Sequence, residues 1–167
     1  FRSTGRLSCS EPNLQQIPRD ATRVKKLFLP LDGHALVEFD FSQIELRVGS
    51  FYSHKYFNDS TMYDLYSTGA DVHTNTSEMI GAFDAIEDRH EARQVGKTGN
   101  FLWLYGGSSE RLRNMLWDQY NIRASADQCK EWTSKFHQVY PGFKRAGKHF
   151  DVQNRSKGRV LMWNGRV

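Results

Sequence analysis

Arg93, Lys97, Phe101 and Tyr105 follow one another at four-residue intervals in the stretch RQVGKTGNFLWLYGG. Because four residues of an α-helix turn through about 400°, this spacing predicts one helix with all four side chains on a broad common face. Arg and Lys bind phosphate oxygens, and aromatic rings stack on sugars and bases. Such a helix could hold a nucleotide from its phosphates to its base. The alternative is an amphipathic helix with its aromatics in the core and its cations in solvent.

A carboxylate stands at a predicted junction between a strand and a helix in VEFDFSQIELR, residues 37–47. Residues 34–39 predict a short buried strand, a helix follows to about Tyr52, and Asp40 lies between them. Mg²⁺ prefers oxygen ligands, and phosphoryl-transfer enzymes use such ions to activate a nucleophile and neutralise a leaving group. Taken alone, Asp40 is also compatible with a simple turn. Glu45 likewise fits a capping box with Ser42 as N-cap.

Two further features, the GKT segment and His73, each have two possible interpretations. GKT at residues 96–98 invites a phosphate-binding loop, but the first glycine of that motif would fall on Glu91, and no strand precedes it. His73 lies near the start of a predicted helix, where anions are favoured, so it is either a further phosphate contact or a structural histidine.

Composition excludes several classes of protein. The chain has 167 residues, enough for one medium domain with a core, and 38% of them are hydrophobic. No apolar run approaches the roughly 20 residues of a membrane span, and the first residues lack the apolar region of a signal peptide. Cys9 and Cys129 match no metal-site spacing and are predicted to be reduced thiols. These features favour an intracellular protein without a membrane partner.

The net charge of +4 is unevenly distributed. Residues 1–26 hold six Lys/Arg against two acids, and residues 135–167 hold eight against one. Residues 27–134 hold nine Lys/Arg against sixteen acids. Basic segments suggest a polyanion such as nucleic acid, although a solvated basic surface is the alternative. The acidic middle fits carboxylates that bind metal ions.

The remaining pattern is mostly helical. Residues 1–26 are predicted to be rich in loops, and helices are predicted at 71–83 with Asp71 or Thr74 as cap, at 88–105, from Ser108 or Ser109 to Tyr120, from Ala126 to Tyr140 with Ser125 as cap, and from Phe143 to Asn154. A strand is predicted in RVLMW, followed by the hairpin signal Asn164-Gly165. We expect the partner strand of this hairpin to be missing, which would leave the fold truncated.

Several segments together resemble family A DNA polymerases, the bacterial DNA polymerase I-like enzymes. TGRLSCSEPNLQQIP (4–18) is similar to a family segment, DFSQIELR (40–47) to motif A, and DVHTNT (71–76) to DIHTxTA. The helix from Arg93 to Gly106 resembles motif B, and YPGF (140–143) and GRVLMWNGR (158–166) resemble later family stretches. The order agrees along nearly the whole chain. The resemblance implies an α+β, mostly helical fold, with a partial palm sheet and helical fingers of a right-hand polymerase.

The resemblance also implies roles for individual residues, together with Mg²⁺ as cofactor and primer–template DNA and a dNTP as partners. Asp40 and the Phe41 carbonyl would bind metal, and Asp40 and Lys97 would be catalytic. The triphosphate would contact Gln43, His73, Arg93 and Lys97, Glu45 would disfavour a 2′-hydroxyl, and Phe101 would stack on the nucleotide. Tyr105 and Gly106 would lie at the template, and Arg6 at the primer end. The intact enzyme would be monomeric.

The family resemblance implies a division of the chain into three parts. Residues 1–56 would be a palm portion with motif A, residues 57–154 the fingers with the motif B helix, and residues 155–167 the start of a truncated hairpin. The family's motif C, a His-Asp-Glu triplet, does not occur in the sequence. We therefore expect this chain alone to bind DNA without polymerising nucleotides.

Other departures and alternatives remain open from the sequence alone. Gly96 and Gly99 lie inside a predicted helix, where each glycine costs about 1 kcal/mol of helix stability relative to alanine. They therefore either loosen the helix or allow close packing. A single-subunit RNA polymerase and a non-catalytic DNA-binding module are the alternative functions. Glu45 and the TGRL segment argue against the RNA polymerase.

Overall fold

The computed structural model describes residues 7–18 and 21–159, and the chain falls into two compact units, residues 1–41 and 42–167. All regular structure within the described residues is helical. A 3₁₀ helix covers Leu14–Gln16, and the α-helices are α1 (Thr22–Lys25), α2 (Ile44–Phe57), α3 (Thr61–Ser67), α4 (Val72–Met79), α5 (Ala82–Ala85), α6 (Arg89–Leu104), α7 (Ser109–Tyr120), α8 (Ala126–Val139) and α9 (Pro141–Lys157). The prediction of a mostly helical protein is confirmed.

The first unit has little regular structure, and the predicted strand at residues 34–39 is wrong there. These residues adopt no regular conformation, and Val37 and Phe39 are 79% and 88% exposed. A strand needs a second strand to satisfy its backbone groups, and residues 7–18 and 21–159 contain none. The second predicted strand covers residues 159–163. Only Arg159 of these is described, and it is not in a strand. The hairpin signal at residues 164–165 lies outside the described residues.

Helix α6 is the central element of the second unit and packs against α2, α4, α5 and α7. The Asp88 side chain caps its start by accepting a hydrogen bond of 2.8 Å from the Glu91 backbone N–H. Its end is a Schellman motif, in which the Gly107 and Gly106 N–H groups donate to the Leu102 and Trp103 carbonyls at 2.9 and 3.0 Å. Gly106 has a φ of +72°, which glycine adopts without strain. The predicted helix at 88–105 is confirmed.

Apolar side chains from helices α2 to α9 and their connections form the core of the second unit. Trp103 lies 4.4 Å from Phe136 between ring centroids, and its indole N–H donates to the Thr133 hydroxyl at 3.2 Å. The buried members are Leu46, Met62, Val72, Ile80, Ala82, Val95, Leu102, Trp103, Leu112, Leu116, Ile122, Cys129, Trp132, Phe136, Tyr140 and Phe143. Cys9 and Cys129 are both free thiols, as predicted.

The two glycines inside α6 accommodate close neighbours. A Cβ on Gly96 would lie 2.3 Å from both the His73 carbonyl oxygen and the Ser77 hydroxyl, so Gly96 lets α4 approach α6. A Cβ on Gly99 would meet the Trp103 ring at 2.3 Å. The Ser77 hydroxyl completes the helix contact by accepting from the Gly96 N–H at 3.0 Å and donating to the Ala92 carbonyl at 2.8 Å. Of the two alternatives for these glycines, the structure supports close packing.

The start of α9 depends on a residue far away in the sequence. The sequence places the helix start near Phe143, but α9 begins at Pro141, a favoured first helical residue. The buried Asp59 carboxylate accepts from the Gly142 N–H at 2.7 Å, so a side chain 83 residues away caps this helix. A Cβ on Gly142 would lie 2.7 Å from that of Asp59.

The predicted serine caps are present at two helices and absent at a third. Ser108 and Ser125 cap α7 and α8, and Ser125 forms a complete capping box with Gln128. The predicted capping box of Ser42 and Glu45 is wrong, because α2 begins at Ile44 after Gln43, which has a left-handed backbone and makes no side-chain cap.

Among the described residues, no helix combines the length and apolar character that crossing a membrane requires.

Candidate nucleotide-binding site

Helix α6 presents the series Arg93, Lys97 and Phe101 as its accessible stripe. All three are half-buried, whereas the residues between them, 94–96 and 98–100, are buried. Tyr105 follows at the end of the helix and is 67% exposed. The predicted common face therefore exists. Phe101 also packs one side against the core, so the face is apolar at one end and cationic at the other.

His73 on α4 lies beside this stripe and is only 3% exposed. Its ring centroid is 5.9 Å from that of Phe101. The Asn100 side-chain amide donates to His73 Nδ1 at 3.1 Å, so neutral His73 carries its proton on Nε2. Burial, together with the positive charges of Arg93 and Lys97, lowers the pKa of His73 to about 4 against the opposing effect of Asp71. His73 is therefore a neutral hydrogen-bond donor at pH 7.

A buried polar chain continues from Asn100 towards the YPGF segment. The Thr76 hydroxyl donates to the Asn100 side-chain oxygen at 3.1 Å and lies 3.1 Å from the Tyr140 hydroxyl. Tyr140 OH also contacts the Met79 sulfur at 3.5 Å. Burial raises the pKa of Tyr140, which keeps its hydroxyl protonated. Since Asn100 and Thr76 are fully buried, this chain fixes the Asn100 amide that orients His73.

Asp71 links the start of α4 to α6. Its carboxylate accepts from the His73 N–H at 3.1 Å and from the Thr74 hydroxyl at 2.8 Å, which confirms Asp71 as the cap of this helix. The same carboxylate accepts from Arg93 Nε at 2.7 Å and Nη2 at 3.2 Å. The hydrogen bonds from Arg93 are the main reason that the pKa of Asp71 lies well below its usual range. Arg93 is thus held at the cationic end of the stripe.

Gln43 is held by a residue that the sequence did not single out. The Tyr66 hydroxyl on α3 donates to Gln43 Oε1 at 2.7 Å, and the Arg47 guanidinium lies 4.4 Å from the Tyr66 ring centroid. Burial raises the pKa of Tyr66 to about 12, with Arg47 opposing the shift, so the hydroxyl remains a donor at neutral pH. Arg47 Nε also donates to the Ser42 carbonyl at 2.9 Å, which stabilises the turn before α2.

The remaining predicted residues are distributed over both units. Asp40 and Phe41 belong to the first unit, where both are exposed. Glu45 is half-buried in the first turn of α2 in the second unit. Gly106 forms the left-handed turn after Tyr105, and Arg6 lies outside the described residues. The structure thus brings together His73, Arg93, Lys97 and Phe101.

The predicted metal ligands have donor chemistry that suits a hard cation. Asp40 offers a carboxylate and Phe41 a backbone carbonyl, which are the oxygen ligands that Mg²⁺ prefers. Within residues 7–18 and 21–159, no three His, Cys, Asp or Glu side chains cluster as a metal site. This donor set suits Mg²⁺ only in its usual manner, bound by one or two carboxylates together with substrate phosphates and water.

Sequence reasoning missed Asn100, Tyr66 and the pairing role of Asp71. Asn100 lies on the side of α6 that packs against the core, where it is fully buried. A polar residue on an apolar helix face is the signal that could have identified it, because a buried amide requires hydrogen-bond partners. Tyr66 lies on α3, which was not predicted, and no local pattern marks its pairing with Gln43.

Several known DNA polymerases are similar to this chain in sequence. The DNA polymerase I of Deinococcus radiodurans is 34% identical over 168 aligned positions, which cover 98% of this chain and 16% of that protein. Those of Aquifex aeolicus and Thermus aquaticus are each 31% identical, covering 95% and 98% of this chain and 27% and 19% of those proteins. The chain therefore spans between about a sixth and about a quarter of the length of these relatives.

A solved structure is similar over almost the whole chain. The POL domain of Pol1 from M. smegmatis, in complex with DNA primer–template and dNTP, superposes with a TM-score of 0.73 at 27% identity. The match covers 99% of this chain and 28% of that one. The sequence profile of DNA polymerase family A matches residues 1–167. With the motif B stripe on α6 and relatives of this kind, the chain belongs to DNA polymerase family A.

Proposed function

We propose that this protein takes part in template-directed DNA synthesis, in which a primer 3′-hydroxyl attacks the α-phosphate of a dNTP and pyrophosphate leaves. The observation that carries the proposal is the accessible stripe of α6, from Arg93 to Tyr105, with neutral His73 beside it. Twelve helical residues extend about 18 Å, which is long enough to follow a nucleotide from its triphosphate to its paired base.

The phosphate end of the stripe would bind and orient the triphosphate. Lys97 supplies a point charge and Arg93 a planar fork, both of which stabilise the negative charge that develops on transfer. Lys97 is half-buried and forms no ion pair among the residues that the structure describes. His73 would donate its Nε2 proton to a phosphate oxygen, because Asn100 occupies Nδ1. Gln43, positioned by Tyr66, is the fourth proposed phosphate contact.

The aromatic end would bind the sugar and the bases. Phe101 is half-buried and would stack on the incoming nucleotide, while exposed Tyr105 and the Gly106 turn would contact the template. Glu45 would disfavour a ribonucleotide by occupying the space of a 2′-hydroxyl. It is half-buried in the first turn of α2.

Mg²⁺ is proposed as the cofactor, bound through Asp40 and the Phe41 carbonyl together with phosphate oxygens. Family membership generally implies a divalent ion, and the ion, when bound, lowers the barrier by neutralising phosphate charge. The right-hand architecture, with a palm in residues 1–56 and fingers in 57–154, is part of the same proposal. Residues 34–39 would join the palm sheet only when paired with another strand.

The proposed partners are primer–template DNA and a dNTP. The M. smegmatis Pol1 domain was solved with both, and this chain superposes on part of that domain. Arg6 would contact the primer end, and the protein would act as a monomer inside the cell. The related proteins are DNA polymerases, which favours DNA synthesis over the alternative of RNA synthesis.

Titration of the 167-residue chain with a dNTP and Mg²⁺ tests the nucleotide site. Lys97→Ala should weaken binding about tenfold or more, because a charged hydrogen bond to phosphate is worth roughly 1.5–3 kcal/mol. Arg89→Ala is the matched control, since Arg89 lies on the same helix but packs over the Phe83 ring at 4.7 Å. The control should bind as the parent does.

The same titration tests the proposed roles of α6 and Glu45. Equal affinity of the parent and Lys97→Ala would overturn the assignment of α6 as the nucleotide site. Glu45→Ala should narrow the preference for dNTP over the matching rNTP, and an unchanged ratio would contradict its proposed role in sugar selection.

A further inference from the structure

A second aromatic and basic surface lies on the face of α7 and on the segment that follows it. Trp117 is 45% exposed there, although tryptophan is costly to leave in water. It borders a surface pocket of about 380 Å³. The residues that line this pocket are Arg113, Asn114, Trp117, Ile122, Arg123 and Ala124, and we refer to it as the Trp117 pocket.

Local folding rules explain why this surface exists. Leu112 and Leu116 are fully buried and fix α7 on the core, so the helix turns Arg113 and Trp117, one turn apart, towards the pocket. The helix ends at Tyr120, and the φ of +57° at the following residue, Asn121, reverses the chain. Ile122 is then buried at 3% exposure, and Arg123 returns over the Trp117 ring at 5.2 Å.

The chemistry of the lining selects an anionic, flat ligand. The pocket contains two guanidinium groups and no carboxylate. Neither Arg113 nor Arg123 forms an ion pair within residues 7–18 and 21–159. A flat aromatic face flanked by cations is the arrangement with which proteins bind single-stranded nucleic acid, by stacking bases and contacting phosphates. The two carboxylates of α7 next to this surface, Glu110 and Asp118, line a neighbouring groove that shares Asn114 with the pocket.

We propose that the Trp117 pocket binds single-stranded DNA, with a base replacing the Arg123 guanidinium over the Trp117 ring and the flanking phosphates held by Arg113 and Arg123. The inference rests on the proposed function, in which the template ahead of the primer is single-stranded. Helix α7 begins four residues after Tyr105, and Trp117 lies about 12 Å further along the helix axis from Ser109. A strand leaving Tyr105 could reach this pocket within a few nucleotides.

Binding of a single-stranded oligothymidylate of about twelve nucleotides to the 167-residue chain, measured by anisotropy without dNTP, tests the pocket. Trp117→Ala should weaken this binding about tenfold, since stacking on an aromatic residue is worth roughly 1–3 kcal/mol per base. Trp117→Phe should retain most of the affinity. Tyr56→Ala is the matched control, because Tyr56 is an exposed aromatic residue of α2, at 54% exposure, outside the pocket.

Salt dependence tests the two arginines together, apart from the contribution of Trp117. The double variant Arg113→Ala/Arg123→Ala should reduce the slope of log affinity against log salt by about 1.4, since each phosphate contact on a single strand contributes about 0.7. Arg155→Ala should leave the slope unchanged, because Arg155 is paired with Asp151 at 2.9 Å on α9. The fluorescence lost on DNA binding in the parent but not in Trp117→Phe would report stacking directly.

These outcomes are independent of the nucleotide site. A loss of single-strand binding in Trp117→Ala, with parent-like affinity for a blunt duplex, supports the pocket even where no dNTP binds. Parent-like single-strand affinity in Trp117→Ala would overturn the proposal, as would an equal loss for the blunt duplex or for Tyr56→Ala. Circular dichroism melting of each variant shows that the comparison is made between folded proteins.

Discussion

The carboxylate of Asp71 holds the guanidinium of Arg93 through two hydrogen bonds, of 2.7 and 3.2 Å, while it also starts helix α4. One side chain thereby positions a proposed phosphate ligand and places a negative charge beside the proposed phosphate site. Because 34% of the Arg93 side chain and 41% of the Asp71 side chain are exposed, solvent screens this pair, and its main effect is on position and binding.

Asp71→Asn should therefore tighten the binding of an anion. Asparagine is as good an N-cap as aspartate, so α4 should remain intact, while the competing charge disappears. We expect pyrophosphate to bind about three- to tenfold more tightly at low salt, measured by calorimetric titration. Asp71→Ala serves as the control for capping and should cost about 1 kcal/mol of stability. Weaker binding in Asp71→Asn would mean that the positioning of Arg93 by Asp71 outweighs the competition from its negative charge.

His73 should make the chain less stable in mild acid. Its pKa is lowered from 6.5 to about 4 in the folded state, so the unfolded state binds more protons between these values. The contribution of neutral His73 to the free energy of unfolding is complete above pH 6.5. It falls as the pH decreases through this window and is lost near pH 4. The total change is up to about 3 kcal/mol, at 1.36 kcal/mol per pKa unit. Chemical unfolding at several pH values measures it.

The pH prediction requires a second variant, because burial also lowers the pKa of His137. His73→Gln should reduce the slope of stability against pH between about 4 and 6.5. The change of slope in His137→Gln measures the contribution of His137. Nitrogen NMR of His73 should show a proton on Nε2 at neutral pH, as the Asn100 contact requires. A His73 titration midpoint near 6.5 in the folded chain would contradict the structure.

Two helical glycines should respond in opposite ways to alanine. Gly96→Ala would place a methyl group 2.3 Å from the His73 carbonyl oxygen, so overpacking of about 1–3 kcal/mol should exceed the gain of about 1 kcal/mol in helix propensity. Gly147 lies inside α9, and a methyl group added to it would meet no atom within 4 Å. Gly147→Ala should stabilise the chain by up to about 1 kcal/mol. Thermal melting compares the two, and a stabilised Gly96→Ala variant would show that α4 can move away.

Asp59→Ala should destabilise the start of α9. It removes the acceptor for the Gly142 N–H at 2.7 Å and for the Thr61 N–H at 3.2 Å, in a position that is 6% exposed. The expected cost is about 2 kcal/mol, the upper range for a lost N-cap. Hydrogen exchange should increase at the first turn of α9. Asp64→Ala is the control, because Asp64 is exposed and accepts from the nearby Ser60 hydroxyl, and faster exchange at α9 in that variant would refute a specific role for Asp59.

Features of this chain that depend on near neighbours can be read from the amino-acid sequence alone. Asp88, Ser108 and Ser125 cap their helices through contacts three residues ahead, and such caps can be predicted because both partners lie in one turn. The four-residue spacing of the α6 stripe likewise depends only on helix geometry. The family motifs follow the same order along the chain, and the family match covers residues 1–167.

Tertiary structure decided which of the remaining local patterns were used. The capping box of Ser42 gave way to the contact of Gln43 with Tyr66, 23 residues away, and α9 starts where Asp59 caps it from 83 residues away. The strand pattern at residues 34–39 has no partner strand among the described residues. Asn100 orients His73 across 27 residues. The three side-chain contacts are stabilised by partners that are distant in the sequence, and only the packing of helices brings such partners together.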